Sequence, residues 1–388
     1  MEKKPRQRIH YLKTRDGLKL AWAEAGAGPA LIKAANWLTH LEYEWESPVW
    51  QHWLRFFCDH FRFVRYDERG CGMTDWQVGD LSVARWTEDL EDVVEAAAPA
   101  KPFALLGVSQ GAIACLAYAV EHPENVSHLV LYGAYARGAF RRGDADREKE
   151  YRAITELARV GWGKDNPTFR QVFTSRFIPG ATREQVDWFN ELCRKTTSPE
   201  LAAQLLEARA NVDVSELLAK VQVPTLVLHA RDDGVVPISE GRLLATGIPG
   251  AEFVELESKN HILLDGEPAW GRFCEAVLQF TGLGANVESE DPAFGRLTVR
   301  ERGILALITE GLSNAAIAER LSLSEKTVRN HISNVFDKLG VWTRAQAIVF
   351  ARDRGFRLPV ERRDLADTQR HRCGRQAPPP AAPQLCAL

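Results

Sequence analysis

The sequence predicts an α/β domain built on a parallel sheet, followed by a small all-helical domain. Two observations lead there. Short apolar runs alternate with helical stretches from Ile9 to about Gly282, and a dense series of helix start and stop signals fills the stretch from Leu297 to Phe356. A third is charge: between Arg296 and Arg357 there are eleven Lys/Arg against six Asp/Glu, in a chain whose formal net charge is −3. The front is therefore acidic and the back basic, the asymmetry expected if only the back meets a polyanion. At 388 residues, 45% apolar and 26% charged, the chain is too long for one compact unit and suggests two folded domains plus tails.

Residues 29–33 (PALIK), 61–66 (FRFVRY), 103–107 (FALLG), 128–132 (HLVLY), 225–229 (TLVLH) and 252–256 (EFVEL) read as buried strands. Helical stretches such as 87–98, 111–121 and 268–280 lie between or after them. Strand and helix alternating in this way argue for a parallel sheet covered on both faces. Between Tyr135 and Val221 the rhythm stops. That stretch is rich in charge, Trp and helix formers, and is expected to be a helical cap, at about 135–221, over the carboxyl edge of the sheet. The first domain then spans 1–284. Residues 285–295 hold a polar, acidic linker (NVESED at 286–291, then Pro292), 296–357 the helical domain, and 358–388 an Arg-, Gln-, Ala- and Pro-rich tail expected to be disordered.

Seven cysteines, an odd number without a C-x-x-C pair, fit a reduced cytosolic chain better than a disulfide framework. The polar start MEKKPR carries no signal peptide, and no apolar run approaches the ~18 residues needed to span a bilayer, so a cytoplasmic protein without membrane contact is expected. No cofactor and no metal are expected.

In the first domain, GVSQG at 107–111 sits between the strand ending at Leu106 and the helix beginning near Gly111. At a strand-to-helix corner such a motif becomes a nucleophile elbow, its glycines relieving crowding while the serine Oγ is thrust outward. An acid and then a histidine should follow in chain order. Asp233, four residues before Pro237, comes after the strand at 225–228, and His261 comes just after the strand at 252–256. Both stand on the sheet edge where Ser109 lies. Asp232 is adjacent to Asp233, but Asp233 has the usual spacing and is preferred. Together with YDERGCGMTD at 66–75, these pieces make residues 9–282 similar to the α/β-hydrolase fold. The resemblance implies Ser109 as nucleophile, His261 as general base and Asp233 as orienting acid. It also implies an oxyanion hole of two backbone N–H groups. Gln110 supplies one; for the other the chain reads KAANWL at 33–38, without glycine, leaving Asn36 or Trp37 to present it. Tryptophans crowd this domain, Trp37, Trp45, Trp50, Trp53, Trp76, Trp86, Trp162, Trp188 and Trp270 among them. They serve either core packing or an apolar pocket beneath the cap, suited to an apolar or aromatic ligand.

In the second domain, Thr298 to Glu301 is a capping box opening a helix that stops at Gly311. Ser313 caps a second helix, 314–321, and a tight turn through Ser322 and Leu323 leads to Ser324, which caps a third helix running to Leu339 and closed by Gly340. Thr343 to Gln346 opens a fourth, ending at Gly355. Two closely spaced helices in the middle make a helix-turn-helix. The run LTVRERGILALITEGLSNAAIAERLSLSEKTVRNHISNVFDKLGVWTRAQAI closely resembles the LuxR-type DNA-binding domain of bacterial regulators. Val328, Ile332 and Val335 keep the spacing of a buried stripe, which leaves Lys326, Arg329, Asn330 and Ser333 outward near the helix N-terminus. Arg329 and Asn330 are the candidate base readers, since Arg forks onto guanine and Asn onto adenine. Lys326, Thr327, His331, Lys338, Thr343 and Arg344 are candidate phosphate contacts; His331 is equally readable as a surface or packing histidine. The resemblance further implies a homodimer on double-stranded DNA, with self-contact around 347–351.

The expected function is therefore a DNA-binding transcription regulator whose hydrolase-like domain binds a small-molecule ligand and in some degree hydrolyses it. The alternative is a working serine hydrolase, esterase-like, with an accessory DNA-binding module.

Overall fold

Runs of Val, Leu, Ile and Phe bounded by turns form the sheet of the first unit. In a computed structural model, which describes residues 6–283, 294, 297–321, 323–354 and 356, the strands are β1 (Arg8–Lys13), β2 (Lys19–Ala25), β3 (Ala30–Lys33), β4 (Arg62–Tyr66), β5 (Phe103–Val108), β6 (Val126–Tyr132), β7 (Thr225–Ala230) and β8 (Glu252–Leu256). Their order across the sheet is β1-β2-β4-β3-β5-β6-β7-β8. From β4 to β8 every pairing is parallel, in registers such as Ile32 to Leu105 and Leu105 to Leu129. Strands β5 and β7 are buried along their whole length, as a parallel sheet covered on both faces requires. Alternate residues feed opposite cores. Leu31, Leu106 and Leu228 join one, with Trp53 and Phe57; Ile32, Leu105 and Val227 join the other, with Leu90 and Ile113.

The sheet is not wholly parallel. β1 and β2 form an antiparallel hairpin, and β2 runs antiparallel to β4. β1 (RIHYLK) is an edge strand with no fully buried residue, so it lacks the continuous apolar run that marks the central strands. Its turn is made by Gly17, at φ 93, whose N–H donates to the Thr14 carbonyl over 2.8 Å.

The helices of this unit are α1 (Leu41–Glu44), α2 (Gln51–His60), α3 (Val83–Ala97), α4 (Gly111–Glu121), α5 (Ala145–Gly161), α6 (Thr168–Phe177), α7 (Arg183–Thr196), α8 (Pro199–Ala210), α9 (Ile238–Gly247) and α10 (Pro268–Phe280). Helices α5 to α8 fall within the stretch where the strand rhythm stops. Their apolar residues Ile154, Phe173, Phe189 and Leu205 join the core that also holds α2 and α10.

Chain contacts divide the protein into two units, Met1–Gly284 and Ala285–Leu388. The second holds α11 (Val299–Thr309), α12 (Asn314–Leu321), α13 (Glu325–Leu339) and α14 (Arg344–Asp353). Capping boxes at Thr298/Glu301 and Thr343/Gln346 open α11 and α14. Ser313 Oγ accepts from the Ala316 N–H at the start of α12. Ser324 caps α13, which Gly340 closes at φ 67. Val328, Ile332, Val335 and Leu339 are the buried stripe of α13. The expected turn residue Ser322, the helix end at Gly355, nearly all of the linker and the whole 358–388 tail lie outside the described residues. Five cysteines, Cys58, Cys71, Cys115, Cys193 and Cys274, are free thiols. No helix among the described residues is long and apolar enough to cross a membrane.

Candidate active-site pocket and nucleic-acid interface

Strand β5 turns into α4 with almost no connecting chain. Only Ser109 and Gln110 intervene, and Ser109 takes φ 52, a left-handed conformation that costs a non-glycine residue about 1–3 kcal/mol. The neighbouring glycines are required by contact. A Cβ on Gly107 would lie 2.6 Å from Ala112 Cα, and one on Gly111 would lie 3.0 Å from the carbonyl oxygens of Ala34 and Ala35. The Ser109 N–H donates to the Tyr132 carbonyl over 2.8 Å, which ties the elbow to β6. Ser109 is buried from bulk water and lines a cleft whose empty space, mouth included, is about 590 Å³.

Asp233 and His261 follow β7 and β8, and their side chains meet: His261 Nδ1 lies 2.6 Å from Asp233 Oδ2. The other carboxylate oxygen accepts from the N–H groups of Val235 (2.7 Å) and Val236 (3.0 Å). Burial pushes the Asp233 carboxyl up, but His261 and these N–H groups together hold it below its usual range. Asp232 has no such role; its N–H donates to the Ser258 carbonyl. His261 is held by α6, since its N–H donates to the Phe177 carbonyl at the end of that helix over 2.8 Å and its ring meets Phe177 edge-on. Its Nε2 is buried and has no hydrogen-bond partner among the described residues, Ser109 included.

Gly133 lies between the two. It follows Tyr132, the residue that anchors Ser109, and at φ 54 it brings its backbone so close to His261 that a Cβ would stand 3.0 Å from Cε1. The sequence reading missed Gly133; its signal was a glycine closing a buried strand. A second histidine, His229, lies behind the pair, with Nε2 3.8 Å from Asp233 Oδ2 and 3.0 Å from the Val236 carbonyl; burial lowers its basicity.

Of the oxyanion candidates, Gln110 and Trp37 both line the cleft with Ser109, and Asn36 does not. Asn36 is engaged locally: its Oδ1 accepts from Lys33 Nζ and its Nδ2 donates to the Trp37 carbonyl. The backbone N–H groups of Gln110 and Trp37 meet no acceptor among the described residues. The tryptophans divide as well. Trp37 forms cleft wall and stacks on the buried Trp162, while Trp50, Trp53 and Trp270 belong to the core and Trp76 is exposed. Three arginines that no motif announced, Arg142, Arg176 and Arg209, also line the cleft.

On α13, Lys326, Arg329, Asn330 and Ser333 are exposed opposite the buried stripe. Arg329 pairs loosely with Glu325 at 3.7 Å, one turn away. Thr327 and His331 are half-buried, and the Thr327 hydroxyl lies 2.8 Å from that of Ser324. Two expected phosphate contacts are engaged inside the unit instead. Lys338 Nζ donates to the buried Glu301 over 2.6 Å, and the Arg344 guanidinium donates to the Leu312 carbonyl and to Asn314 Oδ1. Thr343 is exposed and its hydroxyl caps α14. Within the expected self-contact at 347–351, Ala347 and Ala351 face the unit's own core and Val349 is exposed.

Comparison with known proteins matches both units. Residues 54–268 match the family model for serine aminopeptidase, S33, and residues 296–351 the model for bacterial regulatory proteins of the luxR family. The pyrrolizixenacetamide deacetylase of Xenorhabdus hominickii is 27% identical over 239 residues, which is 60% of this chain and 84% of that protein. The DNA-binding transcriptional activator DevR/DosR of Mycobacterium tuberculosis is 52% identical over 64 residues; the match covers 16% of this chain and 29% of that protein. The crystal structure of a hydrolase from Pseudomonas aeruginosa superposes with a TM-score of 0.58 at 26% identity, over 71% of this chain and 98% of that one.

Proposed function

The chain belongs to the serine aminopeptidase S33 family of α/β hydrolases and carries a luxR-family DNA-binding domain, and on that premise we propose that it is a transcription regulator whose hydrolase-like unit takes up a small molecule at Ser109. The observation that carries this reading is the polar row of α13, exposed over a buried stripe, in a chain whose other unit encloses a cleft at an elbow serine. Arg329 and Asn330 read base edges; Lys326, Ser333 and Thr343 serve the phosphates, and His331 adds to them if its exposed edge reaches the backbone. The working form is a homodimer that meets through the Val349 side of α14, in the cytoplasm where its DNA is. The test is selection by the full chain from a pool of randomised duplexes. The expected result is enrichment of a shared sequence, and a recovered pool identical to the input contradicts the regulator.

A second reading, hydrolysis at the same serine, is favoured by the 2.6 Å Asp233–His261 contact and by the two unclaimed N–H groups of Gln110 and Trp37. In it His261 takes the Ser109 proton, Asp233 holds the ring and its charge, and the N–H pair receives the oxyanion. Labelling of the full chain by a fluorophosphonate, lost in Ser109→Ala, is the expected outcome; an unlabelled wild type leaves the pocket as a sensor only.

A further inference from the structure

The cleft has an electrical character that its apolar walls conceal. Three guanidinium groups line it, from Arg142, Arg176 and Arg209, and no carboxylate among the described residues does. Arg176 is satisfied, with two nitrogens on the Gly234 carbonyl and the third 3.2 Å from Glu150. The other two are not. Arg209 is 3% exposed, and only its Nη2 is engaged, on Glu68; its Nε and Nη1 are buried without any partner. Arg142 gives its Nε to the Arg137 carbonyl over 2.8 Å and leaves both Nη atoms without an acceptor among the described residues. Buried donors such as the Arg209 Nε and Nη1 are seldom left unmade, because desolvation of such a donor is not repaid; the Arg142 Nη atoms keep an edge toward solvent.

Charge accounting agrees with the donor accounting. Glu68 balances Arg209. Glu240 is shared between Arg137, at 2.8 Å, and Arg142, at 3.9 Å, and Asp213 between Arg137 and Arg141, so three guanidiniums here face two carboxylates and one positive charge has no counterpart. The two open guanidiniums converge. Both line the same cleft as Tyr135, and Arg142 stacks over the Tyr135 ring at 5.1 Å. The Tyr135 side chain, also on the cleft wall, makes no hydrogen bond among the described residues, so its hydroxyl is a further donor. Arg209 in turn lies over the ring of Trp37, 5.1 Å away, and from there Trp37, Phe173 and Phe177 continue as an aromatic wall with centroids 5.1 and 4.4 Å apart.

We propose that the ligand of this cleft is an apolar or aryl-bearing monocarboxylate, its carboxylate held between Arg209 and Arg142 and its body laid along Trp37, Phe173 and Phe177. A planar, singly charged acceptor matches both the fork geometry of the two guanidiniums and the single unbalanced charge. The assignment rests on the small-molecule role of the Ser109 cleft and specifies its chemistry.

The test is calorimetric titration of the full chain with phenylpropionate, phenylbutyrate and phenylhexanoate, each compared with its own primary amide. The tightest carboxylate should bind about 10- to 100-fold more tightly than its amide, the range of hydrogen bonds to a charged group. Arg142→Gln should cut that preference by about tenfold. Arg209 alone cannot be removed cleanly, because Glu68 would remain as a buried lone charge, so the paired variant Glu68→Gln/Arg209→Gln is the second probe. Amides binding as tightly as carboxylates to the wild type, or a preference untouched in both variants, overturns the carboxylate assignment and leaves the ligand cleft standing. If neither series binds, both the assignment and the small-molecule reading fall.

Discussion

In the first unit the chemical side chains are sealed: Ser109, Asp233 and His261 are 4%, 6% and 1% exposed. In the second, Lys326, Arg329 and Asn330 stand in water on a short helix whose packing is made entirely by the opposite face. The difference follows from what each unit meets. A small ligand offers few atoms, so its site must remove water and fix each donor in place, and every group there depends on its neighbours. A DNA duplex offers a long polyanion and an open groove, so its reader keeps its polar groups solvated, and each contributes a modest and nearly separate amount. Substitutions in the first unit should therefore have large, coupled effects, and substitutions in the second small and additive ones.

The sharpest break in that contrast comes from Asp233→Asn. If Ser109 is reactive, its labelling by a fluorophosphonate should slow by about 10³–10⁴-fold, because the asparagine fixes the wrong tautomer of His261; DNA affinity should not change. Next is Trp162→Ala, which empties a fully buried site stacked on Trp37. Denaturant unfolding followed in the first unit should report a loss of about 3–5 kcal/mol. Arg329→Ala is smaller, weakening a selected duplex by about 1–3 kcal/mol in fluorescence anisotropy. Ser324→Ala removes the cap of α13 and should lower the stability of the second unit by about 0.5–2 kcal/mol in thermal unfolding. The smallest effect concerns pH. Because the folded state holds Asp233 below its usual range, the stability it contributes is complete above the unfolded carboxylate value and is lost as pH falls through the lowered one. The acid limb of unfolding in the first unit should flatten in Asp233→Asn and leave the second unit unmoved.

How much of this was legible in the sequence depended on whether the cause was local. The GVSQG corner could be read because the crowding that demands Gly107 comes from Ala112 in the same turn, although Gly111 is crowded by the distant carbonyls of Ala34 and Ala35. Asp233 and His261 could be read because each simply follows a strand. The four helices α11 to α14 announced themselves through caps, which are contacts three residues long. The opening hairpin was hidden because β1 is a polar edge strand, without the apolar run by which the central strands were found. Arg142 and Arg209 were hidden for a different reason: they share a cleft only because α8 packs back against α5, from positions 67 apart in the chain. Lys338 and Arg344 carry partners the sequence did not announce. Their charge is visible in the sequence, but the buried Glu301 and the Leu312 carbonyl that engage them are not.

The central claim, that α13 presents this chain to DNA, is tested most directly by titrating the full chain against a duplex of arbitrary sequence over a series of salt concentrations. The account expects clear binding at low salt, with log K falling linearly in log salt concentration and a shallower slope in Lys326→Ala. No binding at any salt concentration, or an affinity indifferent to salt, would contradict it.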